Sequence, residues 1–147
     1  MSNVQSYNTA ISRKTASTPL RYLESKGLLS GSILDYGCGK GADEKYLTEK
    51  GYDAEAYDPH WRPVELTKNS FDTILCTYVL NVVKKDDEKN IIASIKSLLN
   101  NEGKAFITVR RDLKKEGETS RGFQRNVDLD LDIVKQNGSY CIYTLCA

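Results

Sequence analysis

A glycine-rich turn between a strand and a helix constrains the fold of this chain more than any other sequence feature. The apolar run Ser32–Tyr36 indicates a buried strand, and Asp35-Tyr-Gly-Cys-Gly-Lys-Gly41 brings three glycines before a helical stretch, Ala42–Lys50. Asp53–Tyr57 alternates as a second strand and ends at Asp58-Pro59. This order predicts a βαβ unit, whose parallel strands require a right-handed crossover.

Further helices and strands are predicted on both sides of this unit. Apolar residues at helical spacing indicate helices, and short apolar runs bounded by polar residues indicate buried strands. The predictions are helices at Thr18–Leu29 and Asp87–Leu99, strands at Phe71–Tyr78 and Lys104–Val109, a turn at Asn101–Gly103, irregular structure at His60–Ser70 and a charged loop at Arg110–Asp128.

The end of the chain carries its strongest hairpin signal. Asn137-Gly138 separates two strand-like stretches, Leu131–Lys135 and Tyr140–Leu145. The whole pattern predicts the α/β class, with a Rossmann-like, mainly parallel sheet flanked by helices and ending in an antiparallel hairpin. A length of 147 residues fits a single domain, with residues 1–30 as an N-terminal helical segment and 31–147 as the core.

Composition excludes several classes of protein. The net charge of +1 gives no global field towards nucleic acid or membrane, although basic residues can still cluster. No apolar run is long enough to span a bilayer, and the first residues lack the apolar core of a secretion signal, so we expect a cytoplasmic protein. Four cysteines without a CxxC pair, and His60 as the one histidine, argue against a structural metal site.

The glycine-rich turn and the acidic residues beside it suit a nucleoside ligand. Glycines let the backbone turn tightly and approach a ligand without a Cβ in the way. Asp58, at the end of the second strand, can accept hydrogen bonds from both hydroxyls of a ribose, and ligands of open α/β sheets bind at these strand ends. The alternative is an ordinary strand-to-helix turn with a solvated Asp58.

The spacing of the glycines narrows the kind of nucleoside. Dinucleotide-binding turns have the pattern GxGxxG, whereas here the third glycine arrives one residue early, at Gly41. The acidic Asp35 before the turn would repel a pyrophosphate, but it could serve a cationic amino-acid group. A cofactor that carries an amino group and a sulfonium fits this charge better than a nicotinamide dinucleotide.

These residues resemble a known family. Ile33-Leu-Asp-Tyr-Gly-Cys-Gly-Lys-Gly41 is similar to the first motif of class I S-adenosylmethionine-dependent methyltransferases. Asp58 resembles their ribose-binding acid, and Phe71–Asn81 resembles the motif on their fourth strand. The resemblance covers roughly residues 32–109 and implies S-adenosylmethionine as the cofactor.

Short stretches also resemble a narrower group, the methyltransferases associated with DNA phosphorothioation. They are Ala10–Lys14, Ala56–Pro63, Tyr78–Val82 and, less closely, Gly122–Gln124. Members of that group are longer, so the chain would be a stand-alone or reduced version, and this resemblance does not identify the methyl acceptor.

The class I resemblance implies roles for individual residues. Gly37, Gly39 and Gly41 would wrap the methionine and ribose of the cofactor, and Asp35 would orient its amino group. Tyr78 would lie near the adenine or the substrate entrance. Cys38, within the turn, and Pro59, after Asp58, complete the predicted cofactor-binding set. The usual third strand, with its adenine-contacting acid, is shortened or absent between His60 and Ser70.

Methyl transfer requires mainly alignment, and a general base only where the nucleophile must lose a proton. His60 could be that base, or an exposed loop histidine. Trp61 could stack on adenine or on a substrate base, or anchor the loop. Asn81 could bind a substrate group, or cap the end of its strand. His60 and Asn81 are our predicted catalytic residues. Asp58-Pro-His-Trp61 resembles the DPPY motif of base-amine methyltransferases, but follows the second strand instead of the fourth.

Basic residues concentrate in two segments that can lie over the substrate entrance of class I folds. This clustering suits a phosphate-bearing substrate, so nucleic acid is favoured among the acceptors, although a solvated charged loop explains it too. The residues are Arg13, Lys14 and Arg21 near the N-terminus and Arg110, Arg111, Lys114, Lys115, Arg121 and Arg125 in the late loop.

Three alternatives to an active methyltransferase stay open. The first is a non-catalytic cofactor-binding module, or one that needs a protein partner to complete its substrate surface. The second is a nicotinamide-dependent oxidoreductase, against which the glycine spacing argues. The third is an enzyme that cleaves the cofactor. The sequence leaves the methyl acceptor and the oligomeric state undetermined.

Overall fold

The computed structural model of the protein describes residues 15–37, 41–58, 66–120 and 122–147. The strands, in chain order, are β1 Ser32–Tyr36, β2 Asp53–Tyr57, β3 Phe71–Thr77, β4 Leu99–Arg110, β5 Gly117–Thr119, β6 Gly122–Gln124, β7 Asp132–Gln136 and β8 Tyr140–Cys146. The helices are α1 Thr18–Ser25, α2 Ala42–Glu49 and α3 Lys85–Ser97, and a short 3₁₀ helix spans Leu80–Val82.

One six-stranded sheet, in the order β2-β1-β3-β4-β8-β7, forms the centre of the fold. The strands from β2 to β4 are parallel, whereas β8 and β7 are antiparallel to their neighbours. The predicted fold class, a Rossmann-like and mainly parallel sheet with a C-terminal antiparallel hairpin, is therefore confirmed. The strand order reverses between β1 and β3, which is where open α/β sheets bind their ligands.

Helices cover both faces of this sheet. On one face, Leu20 and Leu23 of α1 and Leu47 of α2 pack in a cluster with apolar side chains of β1, β3, β4 and β8. On the other, Ile91 and Ile95 of α3 pack against the alternate residues of the same strands. The apolar stripe that predicted the third helix is thus a core face, and the two helical layers bury central strands that are mostly apolar.

A glycine closes each of the first two helices. The predicted helix Thr18–Leu29 stops at Ser25, because Gly27 has φ +67° and the Leu28 N–H bonds to the Leu23 carbonyl. Gly51, with φ +91°, ends α2 in the same way. Both ends show the Schellman pattern, in which a glycine in the left-handed region closes the helix.

Two further predictions need correction. The predicted turn Asn101–Gly103 belongs to β4, which starts at Leu99 and passes an irregularity in its pairing with β3 before Lys104. The third helix consequently ends at Ser97. The segment Arg110–Asp128 is not a plain charged loop, because it contains β5 and β6, which form an antiparallel hairpin of their own.

Candidate cofactor and acceptor site

The carboxyl ends of β1 and β2 form the centre of the predicted cofactor site. Asp35 lies one residue before the end of β1 with only 3% of its surface exposed, and Asp58 directly follows β2. The two strands are held together beyond their last paired residues, because the Gly37 N–H donates to the Tyr57 carbonyl at 2.7 Å. Two acidic residues therefore lie at the carboxyl ends of two adjacent parallel strands.

Gly37 is required by the fold itself. Its φ is +78°, in the region that favours glycine, and a Cβ at this position would lie 2.4 Å from Cγ2 of Val79. Val79 follows β3, so this contact brings the ends of β1 and β3 together. Gly41 has φ +85° and is the N-cap residue directly before α2. A side chain would therefore clash at Gly37 and would strain the backbone at Gly41.

Tyr78 sits in a strained conformation at the end of β3. It is the one residue other than glycine with positive φ, +61°, in the described part of the chain. Such a conformation costs about 1–2 kcal/mol and persists where the surroundings enforce it, often at functional sites. Its N–H donates to the Thr108 carbonyl of β4 at 2.8 Å, which fixes the backbone next to the predicted substrate entrance.

The N-terminus of α1 is attached to the N-terminus of α2 beside this site. Asp43, in the first turn of α2, is buried and accepts hydrogen bonds from the N–H and the hydroxyl of Ser17, both at 2.7 Å. Ser17 also caps α1 through a bond from the Leu20 N–H. This contact was not predictable from the sequence, because a Ser and an Asp far apart in the chain carry no signal of pairing.

The predicted catalytic residue Asn81 is buried, in the 3₁₀ helix after β3. Its Nδ2 donates to the carbonyls of Arg110 at 3.1 Å and Arg125 at 2.8 Å, and its Oδ1 accepts from the Arg110 N–H at 2.7 Å. The amide therefore binds backbone groups at the end of β4 and in the late segment. This geometry agrees with the alternative reading, a residue that caps strand ends, and gives no support to direct contact with the substrate.

Arg125 was placed in a basic cluster that either binds a phosphate-bearing substrate or forms a solvated loop, and the structure instead places its side chain in an internal ion pair. Its guanidinium donates to Glu88 of α3 at 2.6 Å and to the Val83 carbonyl at 2.7 Å. The side chains of Arg125 and Glu88 are only 14% and 11% exposed. Burial and two partners make this an internal ion pair that joins the late segment to α3.

Other basic residues of the late segment remain on the surface. Arg110 is paired with Asp112 at 2.9 Å. Arg111, Lys114 and Lys115 are exposed and form no ion pair within the residues that the structure describes. They follow the carboxyl end of β4, so positive charge faces solvent on the side of the sheet where ligands of this architecture bind.

A comparison with protein-family models decides the family. Residues 7–137 match the model described as a methyltransferase domain. The chain belongs to this methyltransferase family. A search of curated proteins found no match.

Solved structures with the same fold include a SAM-dependent methyltransferase from Bacteroides fragilis in complex with S-adenosylhomocysteine. That chain is 17% identical, with 92% of this chain and 79% of the other covered and a TM-score of 0.66. The 1,6-didemethyltoxoflavin-N1-methyltransferase of Burkholderia thailandensis, bound to its substrate and S-adenosylhomocysteine, is 20% identical, with 86% and 76% covered and a TM-score of 0.63. The glycopeptide N-methyltransferase MtfA with S-adenosylmethionine is 13% identical, with 90% and 67% covered and a TM-score of 0.56.

The methyltransferase is short beside some of these structures. It spans about half, 51%, of one matched chain, and in the eight structures compared the covered share of the other chain reaches 84% at most. The predictions of a class I methyltransferase and of S-adenosylmethionine as its cofactor are confirmed at the level of the family. In the described residues, no helix is long and apolar enough to span a membrane.

Several predicted site residues lie outside the described residues, so their predicted roles stay predictions. They are Cys38 and Gly39 of the turn, Pro59, His60 and Trp61 after β2, and the basic residues Arg13, Lys14 and Arg121.

Cys76, on β3, could be mistaken for a nucleophile because it lies close to Asp35. Burial raises the pKa of its thiol, and the negative charge of Asp35 raises that pKa further. The thiol is therefore neutral and inert at physiological pH. No group of three or more His, Cys, Asp and Glu side chains within the described residues is arranged to hold a metal ion.

Proposed function

We propose that this methyltransferase is an active enzyme that transfers the methyl group of S-adenosylmethionine to a nucleic acid or nucleotide. The observation that carries the proposal is the pair of acidic residues, Asp35 and Asp58, at the carboxyl ends of the adjacent parallel strands β1 and β2. Asp35 lies on the strand that borders the point where the strand order reverses, between β1 and β3, and Asp58 follows the next strand of the sheet.

The residues present fit this cofactor. Asp58 would accept hydrogen bonds from the two ribose hydroxyls, and the buried Asp35 would orient the amino group of the methionine part. Gly37 and Gly41, which tolerate no side chain without strain, keep the turn between them open to close approach. The backbone N–H groups at the start of α2 offer donors beside it.

The bound cofactor supplies a methyl group already activated by its sulfonium. The protein then has to align the acceptor with that methyl group and exclude water, which is catalysis by proximity and orientation. Tyr78, held at the end of β3, is the described residue best placed to border the reacting groups. His60 would accept a proton if the acceptor atom must lose one.

A phosphate-bearing acceptor is supported by Arg111, Lys114 and Lys115, which follow β4, are exposed and form no ion pair with another described residue. Lysine and arginine that neutralise phosphates release counterions, which gives affinity without sequence recognition. The similarity of short stretches to phosphorothioation-associated methyltransferases makes DNA, including phosphorothioate DNA, a class to test first. The named substrates of the solved neighbours are diverse, among them a toxoflavin precursor and a glycopeptide.

The first test is calorimetric titration with S-adenosylmethionine and S-adenosylhomocysteine, followed by transfer of labelled methyl to DNA, phosphorothioate DNA and RNA. Micromolar binding of both cofactor forms and salt-sensitive labelling of one nucleic acid would support the proposal. Cofactor binding with labelling of small molecules alone would contradict the proposed acceptor. Absence of cofactor binding would contradict the proposal as a whole.

A partner-dependent module is the second candidate. The observation in its favour is that the matched part of the chain covers only 51% and 52% of two solved structures. Such a module would bind the cofactor as the enzyme does, but would label an acceptor only in the presence of a protein partner. The same assay, repeated with and without proteins that co-purify with the chain, separates the two.

A further inference from the structure

The side chains of Asn81, Glu88 and Arg125 join the segment of residues 110–128 to α3 and to the 3₁₀ helix after β3. We refer to these three residues as the strut. They come from the 3₁₀ helix after β3, from α3 and from the residue directly after β6. These elements are distant in sequence, yet the bonds between the three residues form one continuous network. Such a network holds the β5–β6 hairpin in place, because this hairpin is not paired with the six-stranded sheet.

Asn81 uses three of the four side-chain hydrogen bonds that an asparagine can form. It donates twice and accepts once, always with backbone groups of Arg110 and Arg125. Its own carbonyl also accepts from the Arg125 N–H at 2.8 Å. Asn81 therefore forms hydrogen bonds with the backbone at both ends of the segment that contains β5 and β6.

Arg125 adds a charged anchor at the same point. One guanidinium nitrogen holds the Val83 carbonyl and another holds Glu88, in a largely buried setting. Its charge is paired with Glu88 inside the protein, so Arg125 is not available to bind a phosphate. This separates it from Arg111, Lys114 and Lys115, whose charges face solvent.

The hairpin has a second attachment next to the strut. Asn126 accepts from the Leu113 N–H at 3.0 Å and donates to the Leu113 carbonyl at 2.9 Å, while its own N–H donates to Glu116. Val127 then enters the core. The chain from residue 113 to residue 126 is thus closed into a loop, and the strut determines where that closed loop sits on the sheet.

We propose that Asn81, Glu88 and Arg125 are positioning residues for acceptor binding. They hold the β5–β6 hairpin and its basic flank against the carboxyl ends of β3 and β4, where a phosphate-bearing acceptor would meet the cofactor. The inference rests on the proposed function. It assigns the contact with phosphate to Arg111, Lys114 and Lys115, and the placement of that contact to the strut.

The two roles differ in their dependence on salt. A residue that contacts phosphate contributes about one unit to the slope of log affinity against log salt concentration, and its removal lowers the slope. A positioning residue weakens affinity without itself releasing a counterion. Loss of the strut should therefore reduce affinity at every salt concentration and leave most of the slope in place.

The experiment compares full-length variants in binding to a fluorescein-labelled single-stranded DNA and to an RNA of the same sequence, over a series of salt concentrations. Arg125→Lys keeps the charge but loses the fork that reaches both Val83 and Glu88. Glu88→Gln keeps the shape and removes the ion pair, and is the second strut variant. Lys114→Ala is the contact variant, and Glu118→Gln, an exposed change on β5, is the control.

We expect Arg125→Lys and Glu88→Gln each to weaken oligonucleotide binding about tenfold, with an S-adenosylhomocysteine affinity equal to that of the wild type. Lys114→Ala should lower the salt slope by about one. Amide hydrogen exchange should be faster in residues 117–127 of the strut variants and unchanged in β1 and α2, which shows that the hairpin and not the whole fold has been released.

Two results would overturn this inference in distinguishable ways. If the wild type binds S-adenosylhomocysteine but neither oligonucleotide, the proposed acceptor is wrong and the inference fails with it. If the wild type binds an oligonucleotide and both strut variants bind it equally well, the proposed function stands and the inference alone is wrong.

Discussion

The proposed cofactor side and the proposed acceptor side of this methyltransferase are built in different ways. The cofactor side uses one continuous stretch, from β1 through the glycine turn to Asp58. The acceptor side is assembled from the 3₁₀ helix, the start of α3, the end of β4 and the β5–β6 hairpin, and the strut bonds join residues 29 to 44 positions apart. The cofactor side is therefore formed mainly by residues close together in the sequence, whereas the acceptor side is formed by residues that only folding brings together.

The largest expected effect belongs to the cofactor side. Asp58→Ala should remove two charge-assisted hydrogen bonds to the ribose, each worth about 1.5–3 kcal/mol, and so weaken S-adenosylhomocysteine binding by about 10²–10⁴-fold. Asp53→Ala is the matched control, because Asp53 lies at the other end of β2, exposed and paired with Lys68 at 3.1 Å. Calorimetry on both variants tests the assignment, and equal affinities would remove Asp58 from the site.

Gly37→Ala tests whether glycine is required at this position by its contact with Val79, which lies far away in the sequence. The new Cβ would meet Val79 at 2.4 Å in a backbone conformation that alanine disfavours. We expect a loss of about 2–5 kcal/mol of folding free energy, from about 1–2 kcal/mol of backbone strain and about 1–3 kcal/mol of overpacking. Urea denaturation measures it.

Gly51→Ala is the control for this change. Gly51 has φ +91°, but a Cβ there meets nothing within 4 Å, so only the backbone strain should appear. Adding Val79→Ala to Gly37→Ala should recover the overpacking part. If Gly37→Ala and Gly51→Ala cost the same, the contact between the ends of β1 and β3 is not what requires Gly37.

This contact shows where prediction from sequence reached its limit. The strands Ser32–Tyr36 and Asp53–Tyr57, the class of fold and the cofactor were all predictable, because period, glycine spacing and the acids are local signals. The packing of Val79 on Gly37 was not, since it depends on which strand becomes the neighbour of β1. The glycine was predicted to serve the ligand, whereas the structure shows that the fold already requires it.

The acceptor side illustrates the same limit more strongly. The sequence drew attention to both Asn81 and Arg125, Asn81 as a catalytic residue or a strand-end cap and Arg125 as a phosphate contact or a solvated charge. Nothing local indicates that a buried amide would bind two backbone segments, or that Glu88 would pair with an arginine 37 positions away. Short strands such as Gly117–Thr119 and Gly122–Gln124 also lack a periodic pattern long enough to detect.

Asp43→Ala tests the difference between the two sides, because Asp43 forms a long-range contact with Ser17 on the cofactor side. The change leaves the Ser17 N–H and hydroxyl without their buried acceptor, so we expect a loss of about 2–4 kcal/mol of stability. Asp86→Ala is the control, since Asp86 also lies in the first turn of a helix but is exposed. It should cost only the helix-dipole contribution, about 0.3–1 kcal/mol.

The two stability changes of Asp43→Ala and Asp86→Ala are read from the same urea denaturation series. A larger loss of stability for Asp43→Ala would show that the cofactor side also depends on a contact between residues distant in sequence. The cofactor side would then differ less from the strut. Equal losses would mean that Ser17 finds another acceptor, and that the cofactor side depends on its local stretch alone.

The smallest effect is expected at the opposite edge of the sheet, where Asp72 joins the starts of β1 and β4. Its carboxylate accepts from the Ser32 N–H at 2.9 Å and from the Asn100 amide at 2.6 Å, and these bonds hold its pKa below the ordinary value. A carboxyl group with a lowered pKa in the folded state stabilises the protein above its unfolded pKa, and this contribution is lost as the pH falls below about 4.

Asp72→Asn should therefore lower the melting temperature slightly at neutral pH and flatten its decline on acidification, so that the two proteins converge at low pH. Cofactor and oligonucleotide affinities at neutral pH should stay at wild-type values, because the amino edge of the sheet faces neither ligand. Melting curves that run parallel from neutral to acidic pH would show that the Asp72 carboxylate contributes no proton-linked stability. A change in either affinity would show that the two ligand sides are coupled through the sheet, and the separation drawn between them would then be too sharp.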